Sequence, residues 1–273
     1  MSGSTAKEIL VTGASSGIGL ELARQLAAPG RRIWLVARSG DKLEELAAEL
    51  RTKGAQAEVV VLDLADIDRC GVFLDWFLKE NQLDEVYLSA AVSIFGEVKD
   101  ILPEDWDLIY RTDLLGYAQW VQACYTQMVA RKRGRLVIVS SLAGYSGYPT
   151  SVPYATMKAG LLGLYRTLRY EAPAHGVGVH LVSPGYVRTR IYETAIYRRS
   201  NYDNTMKQIG EMGFPMIESS TAATAILKGV AAGKGEIVFP LYARLLSWVA
   251  PRFPWLVRGI HAKMVKRFRE LSA

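Results

Sequence analysis

A tyrosine and a lysine placed one helical turn apart could move a proton. Tyr154 and Lys158 stand at positions i and i+4 of a segment with a helical pattern, 153–172, so their side chains share one face. A free phenol has a pKa of about 10, and a nearby ammonium group favours its ionised form. Ser141 lies thirteen residues earlier, after the apolar run 136–140. We expect Tyr154 to give a proton to a carbonyl oxygen, or to take one in reverse, while the Ser141 hydroxyl polarises that oxygen.

A glycine-rich segment, 12–19, follows the first apolar run of the chain. Its glycines let the backbone turn sharply and approach a phosphate, and the helix that follows offers free N–H groups and the positive end of its dipole. Such a segment between a strand and a helix is typical of a dinucleotide-binding loop. We therefore predict that the pyrophosphate of a dinucleotide is held by Gly13, Ser15, Ser16, Gly17, Ile18 and Gly19.

The end of the second apolar run indicates which dinucleotide binds. Sites for NAD usually place an Asp or Glu there to hold the ribose 2′-hydroxyl group, but this sequence has Arg38 and Ser39. A guanidinium group can bind a 2′-phosphate through two hydrogen bonds, and a serine hydroxyl can add another. The sequence therefore favours NADP(H); the alternative interpretation of Arg38 is a solvated loop charge. After the third run, Asp63 is expected to face the adenine, with Leu64 also in the cofactor site.

Apolar runs and helical patterns alternate along most of the chain. The runs are continuous, as in strands that are covered on both faces. This alternation predicts an α/β fold with parallel β-α-β units in a doubly wound sheet, whose ligands bind beyond the carboxyl ends of the strands. The predicted helices lie at 41–53, 66–80, 103–131 and 153–172, after a first amphipathic stretch that ends at 28. The predicted strands lie at 9–11, 33–37, 59–62, 86–90, 136–140, 177–182 and 237–239.

Charge and cysteine content narrow the function classes. The chain of 273 residues carries a net charge of +6, and residues 241–273 account for all of it, with seven basic residues and one acidic residue. This local excess argues against a nucleic-acid surface. Cys70 and Cys124 fit no metal-binding spacing, so we expect buried free thiols, a reducing compartment and no metal. The absence of a signal peptide and of a long apolar run predicts a cytoplasmic protein.

Taken together, these motifs resemble the short-chain dehydrogenase/reductase family. The similarity runs from residue 9 to about 190 and includes the glycine-rich segment, Ser141, Tyr154, Lys158 and segment 183–189. It implies a single-domain Rossmann-type sheet of about seven strands, hydride transfer, and homodimers or homotetramers formed through two long helices. It also implies that Lys158 contacts the nicotinamide ribose and activates Tyr154, and that Thr189 contacts the carboxamide group. Further cofactor contacts are expected from Ala90, Pro184, Gly185 and Val187.

Two segments depart from the family pattern. The family usually has Asn-Asn-Ala-Gly after the fourth strand, where this chain has Leu-Ser-Ala-Ala at 88–91. A helix asparagine that holds a water linked to the lysine is replaced by Asp113. We include Asp113 among the catalytic residues, as a nearly isosteric replacement whose charge weakens the effect of Lys158 on Tyr154. The alternative is that Asp113 only pairs with Lys158 or Arg111.

The remaining sequence predicts the substrate and the surroundings of the enzyme. Within a domain spanning 1–240, a lid at about 190–216 is rich in aromatic and apolar residues, which favours a hydrophobic lipid-like, steroid-like or aromatic ketone. The alternative is that these residues only pack the lid. Residues 241–273 form a basic amphipathic extension, which either touches a membrane surface or packs on its own domain or a neighbouring subunit. The alternative function is a non-catalytic dinucleotide-binding sensor or scaffold of the same fold.

Overall fold

A computed structural model of the protein describes residues 6–272. The strands of its central sheet are all parallel and are β1 (Lys7–Thr12), β2 (Arg31–Ala37), β3 (Gln56–Val61), β4 (Glu85–Leu88), β6 (Gly134–Val139), β7 (Val177–Pro184) and β11 (Glu236–Phe239). Their order across the sheet is β3-β2-β1-β4-β6-β7-β11. Two further parallel pairs lie outside this sheet, formed by β5 (Ile94–Phe95) with β9 (Ile196–Tyr197) and by β8 (Val187–Arg188) with β10 (Ile217–Glu218).

Helices cover both faces of the central sheet. They are α1 (Gly17–Leu26), α2 (Gly40–Thr52), α3 (Ile67–Glu80), α4 (Pro103–Tyr110), α5 (Gly116–Arg131), α6 (Ala143–Ser146), α7 (Val152–Glu171), α8 (Tyr202–Glu211), α9 (Ser219–Ala231), α10 (Leu241–Arg252) and α11 (Pro254–Ser272). One core layer packs the sheet against α1, α2 and α9, with Leu22 and Ile226 fully buried. The other packs it against α3, α5 and α7, with Trp120 and Leu161 fully buried. The predicted doubly wound fold of seven strands is confirmed.

The predicted helix 103–131 is interrupted by a π-helical turn. The residues Arg111–Leu115 join α4 to α5 and form a π-helical turn. Gly116 follows this turn, and a Cβ atom there would stand 2.7 Å from the carbonyl oxygen of Leu64 and 2.8 Å from that of Arg111. Glycine therefore allows the widened turn to pass close to the loop after β3. Such turns often mark functional sites.

Three helices, α6, α8 and α9, were not predicted. The α9 segment reads SSTAATAILKGVA, and its small residues give little contrast between an apolar and a polar face. Its buried face nevertheless includes Ala222, Ala223 and Ile226, which belong to the same core cluster as residues of α1. Close contact between helices favours small side chains, so tertiary packing rather than amphipathic pattern specifies this helix.

The C-terminal helices pack against the rest of the chain through one face. Val257, Met264 and Phe268 on α11 are buried. The Nε2 atom of Gln208 on α8 donates to the carbonyl oxygen of Met264 at 2.8 Å, and Arg267 pairs with Glu211 at 2.6 Å. None of the helices within residues 6–272 combines the length and apolar composition needed to cross a bilayer.

Candidate active site

A cleft opens at the carboxyl ends of the parallel strands, next to β1, where successive strands are added first on one side and then on the other. It encloses a cavity of about 330 Å³. Each strand from β1 to β4, together with β6 and β7, contributes residues from the turn that follows it. These turns contribute, among others, Gly13, Arg38, Asp63, Ala90, Ser141 and Gly185.

The turn after β1 presents bare backbone to this cleft. Gly13 has a φ of +67°, and a Cβ atom there would stand 2.8 Å from the backbone of Ala90. α1 begins at Gly17, its N-cap Ser16 makes no side-chain hydrogen bond, and its first turn contains no acidic residue. The N–H groups at this helix end are therefore free to bind an anion. These residues fit the pyrophosphate of a dinucleotide.

Positively charged side chains border the cleft beyond β2. Arg38 is exposed, and its Nη1 atom lies 3.7 Å from Oδ2 of Asp63 across the cleft. Ser39 lies beside it, and Lys42, an exposed residue in the first turn of α2, also lines the cleft. Sequence reasoning missed Lys42, although its position one helical turn after Ser39 was a usable signal.

Ser141, Tyr154 and Lys158 converge at the inner end of the cleft. A Cβ atom at Gly144 would stand 2.8 Å from the carbonyl oxygen of Lys158, so glycine lets α6 lie directly on α7. The Oγ atom of Ser141 accepts a hydrogen bond from the backbone N–H of Ala143 at 3.1 Å. The Nζ atom of Lys158 lies 5.4 Å from the centre of the Tyr154 ring. The three predicted residues are thus brought together.

Burial and three neighbours determine the acidity of Tyr154. Burial raises the pKa of its phenol, the Lys158 ammonium group lowers it, the Asp113 carboxylate raises it, and a hydrogen bond with Ser141 lowers it; the net direction is upward. Burial also disfavours the charge on Lys158, but Asp113, with Tyr117 and Tyr154, raises the pKa of that group overall. The Lys158 ammonium group therefore stays charged and interacts with two groups, the phenol of Tyr154 and the carboxylate of Asp113.

Asp113 is fully buried behind Lys158. Its Oδ2 atom lies 3.0 Å from Nζ of Lys158, and its Oδ1 atom accepts a hydrogen bond from the backbone N–H of Val92 at 2.9 Å. Arg111 instead pairs with Asp107 at 2.9 Å. The structure therefore contains the pair of Asp113 with Lys158, while Arg111 is paired elsewhere. Asp113 does not line the cleft, so its influence on the site is electrostatic, on Lys158 and on Tyr154.

The unusual segment after β4 is held by two hydroxyl groups from other elements. The Oγ1 atom of Thr12 accepts hydrogen bonds from the backbone N–H groups of Ser89 and Ala90 at 3.0 and 3.2 Å. The Tyr117 hydroxyl lies 2.7 Å from the carbonyl oxygen of Ala90 and 3.1 Å from that of Leu88. Backbone groups that the strand leaves free are thus paired, and the cleft wall is fixed without the family's usual asparagines.

A second cavity, of about 110 Å³, adjoins the cleft. Its aromatic residues come from several segments and are Phe95, Tyr148, Tyr154, Tyr186, Tyr192, Phe214 and Tyr242. Residues of α10 and α11 form another part of its wall, namely Leu246, Ile260, His261 and Met264. Sequence reasoning did not place the C-terminal helices here. Both cavities are lined by Ser141, Tyr154, Pro184, Gly185, Ile191 and Tyr192.

Nearly all of the predicted cofactor residues line the first cleft. These are Gly13, Ser15, Ser16, Gly17, Ile18, Arg38, Ser39, Asp63, Leu64, Ala90, Tyr154, Lys158, Pro184, Gly185, Val187 and Thr189. Gly19 does not; it is buried against the carbonyl oxygen of Gly13, where a side chain would overlap the turn. Cys70 and Cys124 are buried and unpaired with each other. Within residues 6–272, no cluster of three or more His, Cys, Asp or Glu residues could hold a metal ion.

A Rossmann-type sheet with a phosphate-binding turn and an adjacent Ser-Tyr-Lys group defines an oxidoreductase. The family model for short chain dehydrogenases matches residues 7–199. Oxidoreductase UcpA of Salmonella typhimurium is 34% identical over 210 residues, which cover 76% of this chain and 79% of that protein. The chain therefore belongs to the short-chain dehydrogenase family, as its motifs predicted.

Solved structures show the same relationship. A short-chain dehydrogenase from Streptomyces avermitilis is 25% identical with a TM-score of 0.81, and the match covers 99% of each chain. A metagenomic short-chain oxidoreductase in complex with NADP is 27% identical with a TM-score of 0.70, and the match covers 86% of this chain and 97% of that one.

Proposed function

We propose that the protein transfers hydride between NADP(H) and a hydrophobic ketone or its alcohol. The observation that carries this proposal is that Ser141 and Tyr154 line both the cofactor cleft and the aromatic cavity beside it. A carbonyl group at this junction would contact the proton donor and the cofactor cleft together.

The cofactor is NADP(H). When bound, it supplies or accepts the hydride. The exposed Arg38, Ser39 and Lys42 side chains provide the positive charge and hydrogen-bond donors that suit a 2′-phosphate. Such a group is absent from NAD, so the three side chains favour the phosphorylated form. The metagenomic relative in complex with NADP supports the same preference.

Each catalytic side chain has a separate task in the proposed reaction. The Tyr154 hydroxyl gives its proton to the carbonyl oxygen as that oxygen gains charge, and takes it back in the reverse direction. The Ser141 hydroxyl donates a hydrogen bond to the same oxygen. The Lys158 ammonium group favours the phenolate that Tyr154 leaves behind. Lys158 would also hold the ribose next to the nicotinamide when the cofactor is bound.

The aromatic cavity supports a hydrophobic substrate. Aromatic rings from Phe95, Tyr148, segment 186–214 and α10 surround it. The Tyr186 hydroxyl donates a hydrogen bond to the Tyr148 hydroxyl at 3.2 Å, so this donor is paired within the wall. The rings give the cavity a mainly apolar surface. We propose a lipid-like, steroid-like or aromatic ketone as the substrate class, with segment 190–216 as its lid.

The first experiment compares Tyr154→Phe with the wild type. NADPH and NADH binding is followed by fluorescence titration, and NADPH oxidation is measured against a panel of hydrophobic ketones. We expect the variant to bind NADPH normally and to lose turnover by roughly a hundredfold or more. Tyr170→Phe is the matched control, because Tyr170 lies on the same helix but is exposed to solvent. Equal turnover in Tyr154→Phe and the wild type would refute the assignment.

The buried ion pair between Asp113 and Lys158 favours one second candidate. A lysine whose charge is partly neutralised would suit a dinucleotide-binding sensor or scaffold that performs no chemistry. Tight NADPH binding without turnover on any ketone would support this function.

We also propose that the protein forms a homodimer or homotetramer through α5 and α7, and that it is cytoplasmic. Sedimentation tests the first of these predictions, and cell fractionation tests the second.

A further inference from the structure

The C-terminal helices α10 and α11 have two apolar faces. Their inner face lines the aromatic cavity beside the cofactor cleft, which we now call the substrate cavity. It does so through Leu246, Ile260, His261 and Met264, among others. On the opposite side of α10, Leu241, Leu245 and Trp248 are 78%, 61% and 53% exposed. These three residues follow helical spacing and so share one face. The helices therefore bury one apolar surface and leave another uncovered.

The exposed apolar surface continues from α10 to α11. The rings of Trp248 and Phe253 lie 5.8 Å apart, and those of Phe253 and Trp255 lie 5.4 Å apart. Trp255 and Leu256 are 65% and 61% exposed. We call the surface formed by Leu241, Leu245, Trp248, Trp255 and Leu256 the outer tail face. Large exposed apolar patches of this kind mark interaction sites more often than isolated exposed residues do.

The charges on the stretch of α10 and α11 that carries the outer tail face all have one sign. Residues 241–263 contain four basic residues and no acidic residue. These are Arg244, Arg252, Arg258 and Lys263, all of them exposed. Within the described chain, none of them has a carboxylate within 4.0 Å, whereas the basic residues nearer the C-terminus do, as in the pairs of Arg267 with Glu211 and Arg269 with Glu97. Arg252 lies 5.1 Å from the centre of the Trp248 ring. Exposed tryptophans on helices that also carry unpaired cations match an anionic lipid surface.

The outer tail face also adjoins the substrate cavity. A shallow groove of about 440 Å³ runs between Trp255, Arg258 and Val265 on α11. His261 lines this groove on one side and the substrate cavity, with Tyr154, on the other. His261 is thus shared by the groove at the outer surface and the cavity that contains the proton donor.

We propose that the outer tail face docks on an anionic phospholipid bilayer and that a ketone dissolved in that bilayer enters the substrate cavity beside His261. The proposal of a lipid contact is supported by the exposed rings and unpaired cations and does not depend on the proposed function. The entry of the ketone rests on the proposed function, because it assumes that the cavity around Tyr154 binds the substrate.

Vesicle binding of the full-length protein tests the contact. The wild type is sedimented with vesicles of phosphatidylcholine, with or without phosphatidylglycerol. We expect binding that requires phosphatidylglycerol, weakens with salt, and falls by roughly tenfold or more in the double variant Trp248→Glu/Trp255→Glu. Val72→Glu/Trp76→Glu is the matched control, since these apolar residues are equally exposed on α3. A charge variant, Arg252→Gln, should lose roughly fivefold.

Three results would overturn the contact. The first is no binding of the wild type to phosphatidylglycerol vesicles. The second is an equal loss in the α3 control. The third is an oligomer that dissociates in Trp248→Glu/Trp255→Glu while vesicles bind neither form, which would assign the outer tail face to a second copy of the chain. Thermal unfolding followed by circular dichroism verifies that both double variants are folded.

Turnover separates this proposal from the proposed function. With a water-soluble ketone and no vesicles, Trp248→Glu/Trp255→Glu should match the wild type, because neither residue lines the cavity. With a hydrophobic ketone carried in phosphatidylglycerol vesicles, its rate should fall by roughly tenfold. Equal rates on the vesicle-borne ketone would overturn entry from the bilayer. If the wild type reduces no ketone in either form, the proposed function fails while the vesicle binding still decides the contact.

Discussion

The two cavities that meet at Tyr154 are built in different ways. The cofactor cleft is formed mainly by turns at the ends of strands, which carry their functional residues within a few positions of the strand, with Tyr154 and Lys158 added from α7. The substrate cavity takes side chains from Tyr148, segment 186–214 and two C-terminal helices, which are distant in sequence. Local motifs therefore specify the cofactor, and long-range packing specifies the substrate.

This difference predicts separable effects of mutation. Changes in the cofactor cleft should weaken NADPH binding whichever ketone is present. Changes in the C-terminal wall should alter the kinetics of the ketone and leave the affinity for NADPH unchanged. The largest effect is expected at the phosphate-binding turn, where the backbone conformation itself is at stake.

Gly13→Ala should disrupt the cofactor cleft most strongly. Its positive φ disfavours alanine by about 1–2 kcal/mol, and the new Cβ atom would stand 2.8 Å from the backbone of Ala90. We expect a loss of about 2–4 kcal/mol in the free energy of unfolding and NADPH binding weakened by roughly tenfold or more. Denaturant unfolding with and without NADPH measures both.

Gly30→Ala is the control for that prediction. Gly30 also has a positive φ, of +76°, but a Cβ atom there would meet no other atom within 4 Å. It should therefore lose only about 1–2 kcal/mol and keep normal NADPH affinity. Equal losses in the two variants would show that backbone strain alone, and not the close approach to Ala90, explains the requirement for glycine in the turn.

Leu246→Ala should change the substrate cavity without changing the cofactor cleft. Removing apolar surface from the C-terminal wall should lower kcat/KM for a bulky hydrophobic ketone by roughly tenfold, while the Kd for NADPH is unchanged. Leu245→Ala is the control, because the neighbouring Leu245 points to solvent. Steady-state kinetics on both variants makes the comparison. If Leu246→Ala weakened NADPH binding as much as ketone turnover, the two cavities would not be separable.

The sequence predicted the strands and most of the cofactor cleft because their signals are local. A continuous apolar run followed by glycines, or by Arg38 and Ser39, can be interpreted from neighbouring residues alone. His261 and Leu246 could not be assigned to the substrate cavity, since tertiary packing brings the C-terminal helices there: α11 docks on α8 and α10 packs against α6. The π-helical turn Arg111–Leu115 was missed for a related reason, because its sequence also suits an α-helix and the close approach to Leu64 is tertiary.

Asp113→Asn tests the one departure that lies at the centre of the catalytic group, and its effect is expected to be a shift rather than a loss. The Asp113 carboxylate raises the pKa of Tyr154, so removing its charge should lower that pKa. Reduction needs the protonated phenol, and its rate falls as pH rises through this pKa; the fall should therefore move to lower pH. Alcohol oxidation needs the phenolate, so its rise should move the same way.

Asparagine can still accept the hydrogen bond from Val92, which keeps the π-helical turn in place. Profiles of kcat/KM against pH measure the shift, and Asp107→Asn, on the surface of α4, is the control. A shift to higher pH would mean that Lys158 had lost its own charge together with its partner. The main task of Asp113 would then be to keep Lys158 charged. Through Lys158 the carboxylate would favour ionisation of Tyr154, although its own charge near the phenol disfavours it.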